Sequence, residues 1–135
     1  MKLKKIIETC LYAENLEEAE HFYTHILKLK IVGSEEGRHL FFKCGKGMLL
    51  IFNPNHTKHK QTHVNGNIIP LHGSNGDGHI AFSVENYDQW KDWLQQNDVE
   101  IESIVNWPNG VESVYFRDPA GNSVELVQAD IWNLT

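Results

Sequence analysis

The sequence predicts an α+β fold made of two βαβββ modules, and three observations carry that prediction. Residues 8–23, "ETCLYAENLEEAEHFY", lie over residues 79–94, "HIAFSVENYDQWKDWL", at a constant displacement of 71 positions, so the chain contains a repeat. Each copy opens on a short alternating run and continues with apolar residues at helical spacing. Each helix is then followed by three strand-like segments with glycine-containing turns between several of them. The chain is expected to be one domain over residues 1–135, with module 1 at 1–53, a connection at 54–77 and module 2 at 78–135.

In order, the first strand places Thr9, Leu11 and Ala13 on one face and Glu8, Cys10 and Tyr12 on the other, because side chains alternate along extended chain. Asn15 follows as a helix N-cap with carboxylates in the first turn. Leu16, Ala19, Phe22, Tyr23, Ile26 and Leu27 form the apolar stripe of that helix. Strands are expected at about 30–35, 38–43 and 47–53. Residues 54–77, rich in Gly, Asn and His, show no period and read as a long connection. The second module repeats the plan. Ile80, Phe82 and Val84 oppose His79, Ala81 and Ser83 on its first strand, and Asn86 stands at the N-cap position. The helix stripe is Tyr87, Trp90, Trp93 and Leu94, and strands are expected at about 99–105, 111–117 and 123–128. "DPAGN" between the last two combines the residue types of a tight turn, which makes them a hairpin.

Composition excludes several functions. With 12 basic and 18 acidic residues the net charge is −6, and basic residues cluster only in "KLKK" at residues 2–5, so nucleic acid is not an expected partner. No apolar run reaches membrane-spanning length, and Glu8 falls inside what a signal peptide would keep apolar. The expectation is a soluble, cytoplasmic protein with no membrane partner. Cys10 and Cys44, the only cysteines, have no metal-binding spacing and read as small residues of a reducing compartment.

Glu125, in "FRDPAGNSVELVQ", is a carboxylate within an apolar strand, opposite the face of Val124 and Leu126. With the apolar sets directed to the helices, Glu8, His79 and Glu125 all fall on helix-free faces. Two carboxylates and an imidazole suit a divalent cation such as Zn, Ni, Mn, Fe or Co better than a soft, thiolate-type metal. Pairing across the "DPAGN" turn sets Tyr115 opposite Glu125 and Arg117 opposite Ser123, so Ser113, Tyr115 and Arg117 share that face. Tyr115 is then a candidate hydrogen-bond donor to a ligand oxygen, and Arg117 a holder of an anionic group. Of the histidines in the connection (His56, His59, His63 and His72), His72 is the candidate for a fourth ligand or general base at a cavity rim.

"NLEEAEHFYTHILKLKI" at 15–31, "GDGHIAFSV" at 76–84 and "VYFRDPAGNSVELV" at 114–127 resemble the vicinal oxygen chelate superfamily. This is the glyoxalase, bleomycin-resistance, fosfomycin-resistance and extradiol dioxygenase group. The resemblance implies the glyoxalase/bleomycin-resistance fold, in which paired modules form a curled mixed sheet around a cavity, usually in a homodimer. It assigns the metal to His79 and Glu125, with Glu8 where many members carry a histidine. Glu8, Glu125 and Tyr115 become the catalytic candidates, and Ser113, Arg117 and His72 substrate-binding ones. Aligning "GMLLIF" with "GNSVEL" without a gap puts Ile51 at the position matching Glu125, so the fourth carboxylate of glyoxalase I enzymes is missing. The implied activity is a metalloenzyme acting on a small substrate with vicinal oxygens, as a lyase or isomerase, a transferase or a dioxygenase. The alternative is a non-catalytic protein that sequesters a drug, for which Tyr12, Tyr115, Trp107 and Trp132 offer aromatic surface.

Overall fold

A computed structural model describes residues 1–74 and 77–134, leaving Asn75 and Gly76 of the expected connection, and Thr135, outside the described residues. The chain divides into two units, Met1–Gly76 and Asp77–Thr135. In the first, strands β1 (Glu8–Tyr12), β2 (Lys30–Glu35), β3 (His39–Cys44) and β4 (Gly47–Phe52) form a sheet in the order β1-β4-β3-β2. β1 runs parallel to β4 and the other pairs are antiparallel. Leu11, Leu40, Phe42, Leu49 and Ile51 are buried on one face. Helix α1 (Leu16–His21) packs against β3 and β4, and it continues as a π-helical segment, Phe22–Ile26, that adds Phe22, Tyr23 and Ile26 to this core. Asn15 caps the helix by accepting from the Glu18 amide at 3.0 Å.

The expected aperiodic connection has structure of its own. A single helical turn, α2 (Pro54–Thr57), starts with proline in the first turn, where a missing N–H is harmless. A small hairpin follows, β5 (Thr62–Val64) with β6 (Asn67–Ile69). Asn65 and Gly66 between its strands both have positive φ, as a two-residue hairpin turn requires. Three-residue strands are too short to display a period, which is why the sequence read as loop.

The second unit repeats the plan with β7 (His79–Ser83), α3 (Tyr87–Gln96), β8 (Ser103–Asn106), β9 (Glu112–Arg117) and β10 (Ser123–Val127), in the sheet order β7-β10-β9-β8. Its core is Leu94, Val114, Phe116, Val124 and Leu126. Tyr87 and Lys91 fix α3 to β9 by donating to Glu112 at 2.9 and 3.0 Å. Two expectations are corrected here. Asn86 is not an N-cap of the ordinary kind: it is left-handed (φ 56°) and its side chain makes no cap hydrogen bond. Asparagine tolerates that conformation better than most residues. β8 begins at Ser103 rather than near 99, because the Val99 amide closes the helix end on the Leu94 carbonyl.

The register also corrects one correspondence between the halves. Glu8 pairs with Met48 and His79 with Ser123, so the residue matching Glu125 is Leu50, not Ile51. The β3–β4 turn is shorter than the β9–β10 turn, and a gap-free alignment across turns of different length slips by one residue, which exchanges the two faces of a strand. Burial agrees: Ile51 is fully buried in the core like Leu126, whereas Leu50 lies on the helix-free face.

Candidate metal centre

The "DPAGN" turn builds the site in the second unit. Asp118 accepts from the amides of Ala120 and Asn122, and Asn122 returns its side-chain N–H to Asp118 at 2.9 Å. Gly121, with φ 90°, supplies the left-handed step. The Asn122 side-chain oxygen Oδ1 accepts from the Gly78 amide at 2.9 Å, and the Ser123 amide donates to the Gly78 carbonyl. Both polar side chains are buried, so the turn clamps the start of β10 to the residue before β7. That register places His79 across from Ser123, with Glu125 two residues further along the neighbouring strand.

The His79 ring is oriented by the Ser123 carbonyl, 3.2 Å from Nδ1. A carbonyl can only accept, so Nδ1 carries a proton and Nε2 is the nitrogen left for a ligand, the arrangement usual in metal-binding histidines. Nε2 stands 3.4 Å from Oε2 of Glu125. Glu125 is only 4% exposed, and its Oε1 has no hydrogen-bond partner. A partnerless oxygen on a buried carboxylate is unfavourable by about 1–3 kcal/mol or more unless a cation neutralises it. Ion-to-ligand lengths of about 2.1 Å at a tetrahedral angle separate two ligands by about 3.4 Å, so the observed pair fits one edge of such a centre.

Tyr115 pairs with Glu125 across β9 and β10, and its ring stacks on His79 at 6.1 Å between centroids. Burial first, then a hydrogen bond to Glu125 and the charge of that carboxylate, hold its hydroxyl above the ordinary phenol range, so it stays a proton donor. Ser113 and Arg117 are otherwise engaged. Ser113 is fully buried and accepts from the Trp107 indole at 2.8 Å. Arg117 is exposed and grips Glu102 with two hydrogen bonds of 2.7 and 3.1 Å, with a third to the Gly121 carbonyl.

Glu8 and His72 belong to the first unit, where both line a cavity of about 790 Å³ on the helix-free face. The hydroxyl of Tyr12 lies 2.7 Å from Nδ1 of His72. Two residues here escaped the sequence reading, Arg38 and His39; "GRHLFFK" offers no periodic signal to separate a working arginine from a strand-end one. Among the described residues, no trio of His, Cys, Asp or Glu is gathered in either unit.

A family model described as the Glyoxalase/Bleomycin resistance protein/Dioxygenase superfamily matches residues 5–126. The chain belongs to this superfamily. The superfamily fold is shared with the crystal structure of lactoylglutathione lyase from Agrobacterium tumefaciens, at 40% identity and a TM-score of 0.88 over 98% of both chains. The metallothiol transferase FosB of Staphylococcus saprophyticus is 30% identical over 115 residues, 83% of this chain and 68% of that protein. FosB of Staphylococcus epidermidis is 42% identical over 53 residues, which span 36% of this chain and 36% of that relative. Within the superfamily chain described here, no helix among the described residues is long and apolar enough to cross a membrane.

Proposed function

We propose that this superfamily member is a divalent-metal-dependent enzyme acting on a small substrate through two adjacent oxygens, with His79 and Glu125 holding the ion. The observation that carries the reading is the buried Glu125 carboxylate, with one oxygen unpartnered and the other 3.4 Å from the Nε2 of His79. An ion held there supplies Lewis-acid stabilisation of negative charge developing on substrate oxygens. The protein's own part is orientation and proton placement. Ser123 sets the His79 ring, and the turn through Asn122 fixes the strand register. Tyr115, kept protonated by burial and by its hydrogen bond to Glu125, holds a proton beside the carboxylate. Leu50 at the position matching Glu125 leaves the first sheet without a second carboxylate of this kind. The reading draws support from the lyase and the metallothiol transferase to which the chain is similar, and their names bracket the reaction classes to assay.

The test is metal binding by the full chain, stripped with chelator and titrated with zinc, manganese, nickel and cobalt. One ion per chain, lost in a folded His79→Ala variant, is the expected result. A chain that takes up none of the four overturns the reading. Sequence resemblance adds Glu8 to the ligand set, and Glu8→Ala tests that separately by its effect on affinity. A metal-free chain that still captured aromatic drugs would move the balance to sequestration.

A further inference from the structure

The cavity of the first unit, which Glu8 also lines, has a chemistry that does not draw on His79 or Glu125. Its polar end is built on Arg38, only 8% exposed, which donates from Nε to Thr62 at 3.2 Å and from Nη1 to Nδ1 of His39 at 2.6 Å. Of the five guanidinium N–H groups these bonds engage two. Nη2 donates to none of the described residues and is not among the atoms sealed from solvent. The nearest carboxylate, Glu35, is 3.8 Å away and more than half exposed, so the buried charge is weakly countered.

One of the two imidazoles at this end is also a donor. Arginine cannot accept, so Nδ1 of His39 is the acceptor and its proton lies on Nε2. The Tyr12 hydroxyl accepts from the Cys10 thiol at 3.8 Å and lies 2.7 Å from Nδ1 of His72. Burial first, and Arg38 second, hold both imidazoles below the ordinary pKa, so neither competes as a cation. Flat apolar surface lies alongside. The Arg38 guanidinium sits 5.4 Å over the Phe52 ring, the His72 ring meets Phe52 edge-on at 4.6 Å, and His39 stacks on Phe41 at 3.9 Å. Glu8 is the one acid at the far end. It stands four residues along β1 from Tyr12, about 13 Å at strand rise. A volume of about 790 Å³ falls in the range of small-molecule sites.

We infer that this cavity binds a small organic carboxylate with a flat, aryl-type body, the carboxylate on the free edge of Arg38 and the ring against Phe52. An acceptor anion best satisfies a polar end at which Arg38 and His39 both donate. A neutral isostere of the same shape lacks the charge-assisted bond.

The experiment uses the full wild-type chain, free of added metal, titrated with benzoate and with benzamide while amide NMR signals are followed. Benzoate is expected to saturate shifts at Thr62, Val64 and His72, with benzamide weaker by about tenfold or more. Arg38→Gln removes that preference. Because the loss of a buried arginine can unfold the unit, Ile69→Trp, which fills the cavity from its hairpin side, serves as the second variant and abolishes both titrations. Glu125→Gln leaves the benzoate titration unchanged, which separates this site from the metal reading. No saturable benzoate shift, equal binding of benzamide, or benzoate binding retained in Ile69→Trp overturns the inference.

Discussion

Glu125→Gln gives the sharpest test of the metal centre, because its effect on stability changes sign with metal. In chelator-treated protein the wild-type side chain is a buried carboxylate with a partnerless Oε1, and Oε2 lies 3.4 Å from Nε2 of His79. The isosteric amide removes the charge and can donate to the Nε2 of His79. Removing a buried charge and gaining one hydrogen bond is worth about 1–3 kcal/mol, so the metal-free variant should melt several degrees above wild type. Adding zinc at about a hundred times its Kd stabilises a competent wild-type site by about 2.7 kcal/mol. The variant, lacking one anionic ligand, gains little, and the order of the two Tm values reverses. Thermal melts of both proteins, each with chelator and with zinc, read the effect directly. If Glu125→Gln is less stable than wild type in chelator and zinc leaves both melts in place, the carboxylate is a structural partner of a protonated His79 and the metal reading fails.

Three further outcomes follow from the same structure. Tyr12, pushed up to about 12 by burial first and then by Cys10, is favoured in its protonated form by the fold. Its contribution to stability is complete below the free phenol value of about 10 and is lost as pH rises from there through about 12; tyrosinate absorbance in wild type and Tyr12→Phe measures the shift. Asn122→Ala leaves the Gly78 amide and an Asp118 oxygen without their partner, and urea unfolding should show a loss of about 2–4 kcal/mol together with weaker zinc binding. Ile51→Glu should not fold, whereas Leu50→Glu should retain a native circular dichroism spectrum, because Ile51 is sealed between sheet and helix while Leu50, though buried, borders the cavity; the opposite result would restore the gap-free alignment.

The two-module plan was legible because it rests on periods. Leu11 and Ala13, Val124 and Leu126, and the stripe through Ala19, Phe22 and Ile26 each alternate or recur at the spacing of their element, and the sheets turn those residues inward. Tyr115 opposite Glu125 was legible too, since a hairpin turn sets register within a few residues. What sequence could not supply was anything fixed by turn length or by long-range contact. The slip from Leu50 to Ile51 came from comparing halves whose turns differ. Arg117 and Ser113 sit on the expected strand, yet Glu102 and Trp107, distant in spacing from any motif, decide what each does. Arg38 was invisible for the converse reason: its site is made by Thr62 and His72, which reach it through a hairpin too short to announce itself.

In the fourth strand of the first sheet, Leu49 and Ile51 hold the core while Leu50 between them lines the cavity on the other face; in the matching strand Val124 and Leu126 flank Glu125 in the same way. Stability and chemistry are thus written on alternate letters of one word. A duplicated strand of this kind can exchange a carboxylate for an alkyl group at its middle position while the letters on either side go on specifying the same packing. The two halves are therefore free to diverge in what they bind at a rate unrelated to how fast they diverge in shape, and a fold so constructed is predisposed to acquire new ligands without first losing its old form.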